Sequence, residues 1–263
     1  MKKPLLLILL LISGFKLFAI GMRDDSLNQQ VKIATSNIDS LKQEIESTLY
    51  DSLKAPIYTQ IAQQYLKYDT INNKKTRMAY QNAAIKNTMS AIHFYSRYND
   101  TVGLRISFDN LAKVYHAQHK YPQAKWFILQ SNTLSRAKND NLNIITSLIE
   151  LASIKSDIKD YSLAMRDLNE ALSLSSQNHY IQQESQVQLN YAMLYNSMKN
   201  PVKAAIALKR HQAIDDSLKR DEEAKIMAKI NSADSVQQVK KKLYTAVSRK
   251  LYKSNSTKRI ASL

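Results

Sequence analysis

Glycine and cysteine are what this chain of 263 residues most lacks: it holds 3 Gly and no Cys. Gly14 and Gly21 fall in the first 21 residues, so everything beyond them contains a single glycine, Gly103. Loops that cradle phosphate need glycines for the backbone to approach the anion, so P-loop and Rossmann chemistry is excluded. An all-β sandwich is excluded on similar grounds, because its many tight turns call for Gly, Asn-Gly and Asp-Gly. The absence of Cys removes disulfides and thiolate metal sites and leaves the compartment open. What remains is an almost wholly helical chain, 44% apolar, with room for one or two domains and a real core.

Acidic residues are missing from both ends. The formal charge is +16, yet residues 1–21 contain three Lys and no acid, and residues 235–263 contain eight Lys or Arg and no acid. The body between them is nearly balanced, so the basicity belongs to the tail rather than to the fold. At the start, Met1-Lys2-Lys3-Pro4 leads into an apolar run over 5–15, and small residues follow at Ala19 and Gly21. This is the layout of a secretory signal peptide over residues 1–21, cleaved after Ala19 or Gly21. The run up to Ile20 includes Lys16 and is shorter than the roughly 20 residues a membrane span requires. The chain is therefore expected to be exported, to the periplasm or beyond, and no Cys follows the signal to carry a lipid.

A repeat organises the body. Blocks beginning at 101, 141 and 181 are each 40 residues long and place small residues in register, at Ala112, Ala152 and Ala192 and again at Ala124, Ala164 and Ala204. Stepping back 40 from Ala124 reaches Ala84, which extends the array upstream. Each half-block has helical period: Phe108, Leu111, Ala112 and Tyr115 share one face. Pro122 and Pro201 suit the first turn of a helix, where a missing N–H costs nothing, and Asp160 and Asn200 suit the capping position.

The sequence Phe108, Leu111, Ala112, Tyr115, then Tyr121 and Ala124, resembles the tetratricopeptide repeat (TPR) in a longer, forty-residue form. The later blocks repeat it as Leu148, Leu151, Ala152, Tyr161, Ala164, Ala171, and as Tyr191, Ala192, Tyr195, Ala204. An upstream block reads Tyr58, Ile61, Ala62, Tyr65, then a polar insertion over 69–75, then Ala84 and Ala91. Lys155 departs from the pattern where helix A should carry an aromatic, Pro201 departs at the turn, and the usual terminal Pro is absent. The resemblance implies an all-α fold, a right-handed superhelical solenoid of antiparallel helix pairs. About four repeats are expected, over 55–97, 105–138, 145–178 and 185–218, with flanking capping helices. It also implies that helix A residues off the packing face line a concave partner-binding groove: Asp109, Asn110, Lys113 and His116; Glu150 and Ser153; Asn190, Met193 and Asn196. The family's carboxylate-clamp set is matched only at Asn110 and Lys113, so a receptor for chaperone C-terminal tails is not supported.

Both flanks carry apolar stripes. Leu27, Val31, Ala34, Ile38, Leu41 and Ile45, within 22–54, step by four and three and are expected to cap the first repeat. Ile226, Ile230, Ala233, Val236, Val239, Leu243, Val247 and Leu251 are expected to form a capping helix over 221–252, broken near Ser232-Ala233-Asp234-Ser235. A loose basic tail over 253–263 would follow.

No nucleophile–base motif stands out, so the chain reads as non-enzymatic and without cofactor. His116 and His119 lie one turn apart but lack an acidic or Cys partner at useful spacing, and read as surface histidines rather than metal ligands. Trp126 reads as packing between repeats. The segment 240–259 mixes cations with apolar residues and could meet an anionic membrane surface; nucleic acid is a poor fit to an exported chain. One short pattern is over-represented. Asp followed by Ser or Thr and an apolar residue occurs seven times, placing Ser26, Ser40, Ser52, Thr70, Thr101, Ser217 and Ser235 in it, where composition predicts roughly one. Helix capping explains such pairs. So would O-glycosylation, because the pattern resembles a sequon of some bacterial envelopes. The functional expectation is an exported, non-catalytic scaffold that binds a protein or peptide. A stand-alone or truncated sensor region, or an envelope structural protein held by its basic tail, remain open.

Overall fold

The computed structural model describes residues 37–260, and among them every regular element is a helix. The signal-peptide segment and the first part of the heptad stripe (Leu27, Val31, Ala34), with Ser26, lie outside the described residues. The chain divides into two compact units, residues 1–178 and 179–263. The first contains α1 (37–47), α2 (Asp51–Tyr65), a 3-10 turn (Leu66–Thr70), α3 (Lys74–Arg97), α4 (Thr101–Ala117), α5 (Tyr121–Ala137), α6 (Asn141–Asp157) and α7 (Tyr161–Gln177). The second contains α8 (Ile181–Ser197) and α9 (Pro201–Ile260).

Helices α2 and α3, α4 and α5, α6 and α7, and α8 and α9 pack as neighbouring pairs. The alanines aligned by sequence are the contact points. Ala62, Ala84, Ala112, Ala124 and Ala164 are fully buried, and Ala152, Ala192 and Ala204 are nearly so. A Cβ is the largest group that lets two helix backbones approach this closely. Larger side chains fill the space between: Leu111, Phe127, Ile128, Leu151 and Ile154 form one cluster, and Tyr115 stacks on Phe127 with ring centroids 5.5 Å apart.

The turns explain how so few glycines suffice. Asn99, His119, Asn139, Lys159, His179 and Lys199 all adopt positive φ, between 52° and 65°. Each follows a helix C-terminus, and after all but His179 the next amide reaches back five residues, as Asp160 N to Lys155 O at 2.8 Å and Asp140 N to Ser135 O at 3.0 Å. That next residue also begins the following helix. The Asp100, Asp140 and Asp160 side chains accept from the amides of Gly103, Asn143 and Leu163. Three residues thus close one helix, reverse the chain and cap the next. A left-handed residue with a Cβ costs about 1–2 kcal/mol, and only part of that is returned as unfolded-state entropy when glycine replaces it. Lys159→Gly should therefore stabilise the chain by about 0.5 kcal/mol in urea melts, while Lys159→Ala should bring no gain.

At the N-terminal side, Ile38 and Leu41 are buried against Ile57 and Ile61, with Ile45 and Tyr65 beside them, so α1 covers the open face of α2. The C-terminal side departs from expectation. α9 does not stop near 218, does not break at 232–235 and does not become loose at 253; it is one helix to Ile260. Without Pro or Gly, the Ser and Asp in that stretch cost only tenths of a kcal/mol each. Nor do residues 219–231 of it cap the repeat. Ala204 and Ala207 are buried, but every residue from 219 to 231 is exposed, including Ile226 and Ile230, and Leu243 is exposed as well.

Trp126 also differs: it is about half exposed and packs edge-on against Phe108 and Phe127, within one helix pair rather than between repeats. Of the Asp-Ser/Thr motifs among the described residues, Asp100 caps a helix through its side chain. Asp39, Asp216 and Asp234 lie inside helices, Asp69 lies in the 3-10 turn, and Asp51 follows the α2 cap, Tyr50.

Candidate functional site: a charged cleft between helices A

An open cleft of about 590 Å³ in the first unit is lined by Leu66, Tyr68, Asp69, Lys113, His116, Ala117, His119, Glu150 and Asp157. The repeat builds it. Lys113 and His116 lie on α4, and Glu150 and Asp157 lie on α6, the matching helix A one repeat later. The 3-10 turn after α2 adds Leu66, Tyr68 and Asp69; it buries Tyr68, whose hydroxyl donates to the Lys113 carbonyl at 3.5 Å. Burial, with the nearby Asp69 and Glu150 carboxylates, pushes the Tyr68 phenol up to about 12.

His116 is the centre of the cleft. Its Nδ1 lies 3.0 Å from Glu150 Oε1 and its Nε2 lies 2.8 Å from Asp157 Oδ2. Both carboxylates can only accept, so the ring donates from both nitrogens and carries a charge. The Glu150 hydrogen bond raises the His116 pKa above its ordinary value; burial opposes this and the Asp157 hydrogen bond adds to it. His116 is thus a half-buried cross-link between α4 and α6, not the surface histidine its local sequence indicates. Its partners lie 34 and 41 residues away, a distance that local spacing does not reveal. Because the folded pKa is raised, the bridge stabilises the fold fully below the unfolded value near 6.5. That contribution is lost as pH rises through the folded value. Urea midpoints of the chain and of His116→Gln should accordingly differ most near pH 6 and converge toward pH 9.

The other expected groove residues divide. Lys113 and Glu150 line the cleft beside His116. Asp109 is half-buried, accepts from Ser131 of α5 and pairs with Arg105 at 2.8 Å; burial raises its pKa. Asn110 is buried, with its Nδ2 lacking a partner, so it belongs to the interior rather than to a clamp. Ser153 is half-buried. In the second unit, Asn190 bonds to the Gln186 carbonyl on its own helix, and Met193 and Asn196 are exposed. Tyr68, Asp69 and Asp157 were not expected from sequence. The first two sit in the 3-10 turn that leads into the insertion, outside the repeat register, and Asp157 is one turn beyond the positions the resemblance marks.

A serine, a histidine and an aspartate also meet in the second unit. Ser185 Oγ donates to Asp215 and lies 2.7 Å from His211 Nδ1, which also lies 3.1 Å from the Ser185 carbonyl. The carbonyl can only accept, so the proton is on Nδ1, and that nitrogen cannot serve as base for the serine. Ser185 is also 1% exposed. The grouping is a polar bolt between α8 and α9. Among the described residues, no three His, Asp or Glu side chains assemble as a metal site, and no helix is long and apolar enough to cross a membrane.

This architecture is that of the TPR-like helical-repeat proteins. BtubC (BKLC) from P. vanneervenii superposes with a TM-score of 0.60 at 14% identity, over 74% of this chain and 78% of that one. The kinesin-light-chain nearly identical TPR-like repeats of Podosopora anserina superpose with a TM-score of 0.58 at 15% identity, over 73% of this chain and 91% of that one. No family model and no curated protein sequence matches the chain.

Proposed function

We propose that the chain is an exported, non-catalytic scaffold that captures a protein or peptide partner in the cleft around His116. The cleft carries this reading: it is open, lies on the helix A face of the repeats and holds charges of both signs with a tyrosine beside them. That composition suits an extended peptide, whose backbone and side chains offer donors and acceptors together. The fold supports interaction rather than chemistry, since repeat arrays present extended surfaces. Export rests on the signal-peptide layout of residues 1–21. The tested form is the tagged chain recovered from the envelope after crosslinking, beside a Lys113→Glu/Glu150→Lys variant and an exposed control, Leu129→Lys. Partners lost by the first variant and kept by the control support the cleft; partners kept by both refute it. The sensor alternative shares this fold and would show itself as a partner spanning the inner membrane.

Glycosylation at the Asp-Ser/Thr motifs is proposed with it. Capping accounts for Asp100 but not for the aspartates inside helices, and Ser40, Ser52 and Thr70 are exposed. Protein from the native host should then exceed the mass of a cytoplasmic recombinant form, and Ser52→Ala and Thr70→Ala should each remove one increment. Equal masses would dispose of the idea.

A further inference from the structure

We propose that the exposed part of α9 pairs antiparallel with α9 of a second copy of this chain. α9 is 60 residues long, about 90 Å at 1.5 Å per residue, and residues 219–231 are all exposed. A lone helix in water survives through pairs of opposite charge one turn apart or through a covered apolar face. The stretch 235–260 contains eight Lys or Arg and no acid, so such pairs cannot form within it. Apolar residues of one helix face nevertheless continue through the exposed region at Ile226, Ile230 and Tyr244, 4 and 14 residues apart and all on the surface. Helix continuity therefore calls for a partner that supplies both apolar cover and negative charge.

A second α9 running the opposite way supplies both. Residues 215–223 carry five acids against two cations. About an axis at the level of Ser235, Ile226 of one copy is level with Tyr244 of the other. The acidic stretch 215–223 is then level with 247–255, which carries Arg249, Lys250 and Lys253. Parallel pairing would instead lay eight cations along eight. An anionic membrane would satisfy the cations but would repel Asp221, Glu222 and Glu223, which adjoin the same stripe at Ile226.

The test uses the full chain, with the 22–263 form beside it, in sedimentation velocity at tens of micromolar. The expected mass is twice that of one chain and falls toward one as salt rises, because opposed charges hold the pair. Ile226→Glu/Ile230→Glu should return the single-chain mass while the urea transition of the repeats is kept. The absence of native Cys permits a direct reading of direction. Ile226→Cys chains mixed with Tyr244→Cys chains should form a disulfide-linked heterodimer. Ile226→Cys alone should not, since its two sulfurs would lie about 27 Å apart. Single-chain mass at every concentration, a disulfide from Ile226→Cys alone, or association seen only on phosphatidylglycerol vesicles would each overturn the proposal.

Discussion

Asp167→Ala should lower stability by about 3–5 kcal/mol, the largest loss expected of any single change in this chain. Lys155 Nζ and the Asp167 carboxylate form an ion pair with side chains 5% and 4% exposed, so removing the acid leaves an ammonium group buried without a counter-charge. The repeat shows why the pair exists. Forty residues earlier the same two positions hold Tyr115 and Phe127, stacked ring on ring. The third helix pair holds an ionic contact where the second holds an aromatic one. Lys155→Tyr/Asp167→Phe installs the second pair's chemistry and should match the wild type or exceed it by about 1–4 kcal/mol, as replacements of buried ion pairs by apolar groups do. Chemical denaturation of the single and double variants checks both statements. A loss below about 1 kcal/mol for Asp167→Ala would mean the pair is solvated.

Gly103→Ala should destabilise by about 1–3 kcal/mol, opposite in sign to the usual gain of about 0.5–1 kcal/mol when alanine replaces a helical glycine. The glycine is in the first turn of α4, and a Cβ there would fall 2.3 Å from Tyr95 Cε1 and 2.6 Å from Cγ. The ring cannot step aside. It is 9% exposed, set among Ala55, Ala91, Tyr58 and Phe94, and its hydroxyl lies 3.1 Å from Thr59 Oγ1. Tyr95→Leu should remove most of the penalty of Gly103→Ala, a coupling that a double-mutant cycle measures directly. A higher melting temperature for Gly103→Ala alone would show that the helices separate with ease.

Helix pairs and their contact points were legible because one constraint, close approach at Ala112, Ala152 and Ala192, recurs at constant spacing and needs no knowledge of neighbours. The turns were less so: with Gly scarce, left-handed residues fell on Asn and His, which favour that conformation only weakly beside glycine, and on Lys, which gives no signal of it. Lys155 stood out as a departure, but Asp167 lies 12 residues on, across a turn, where helical period gives no link. The cleft was half legible. Lys113, His116 and Glu150 follow from register; Tyr68 and Asp69 come from the 3-10 turn where that register is interrupted. For α9, the apolar stripe was visible, but a stripe alone does not distinguish a cap from a face left open to solvent.

The Tyr95–Gly103 contact also bears on the order of the repeats. At the next junction the same two positions hold Ser135 and Asn143, the smaller residue first where Tyr95 and Gly103 place the larger one first. One volume rule therefore does not run along the array. A side chain as large as that of Asn143 set at position 103 would be driven into Tyr95. The repeats share a backbone period but are not interchangeable parts: their order is written into the seams.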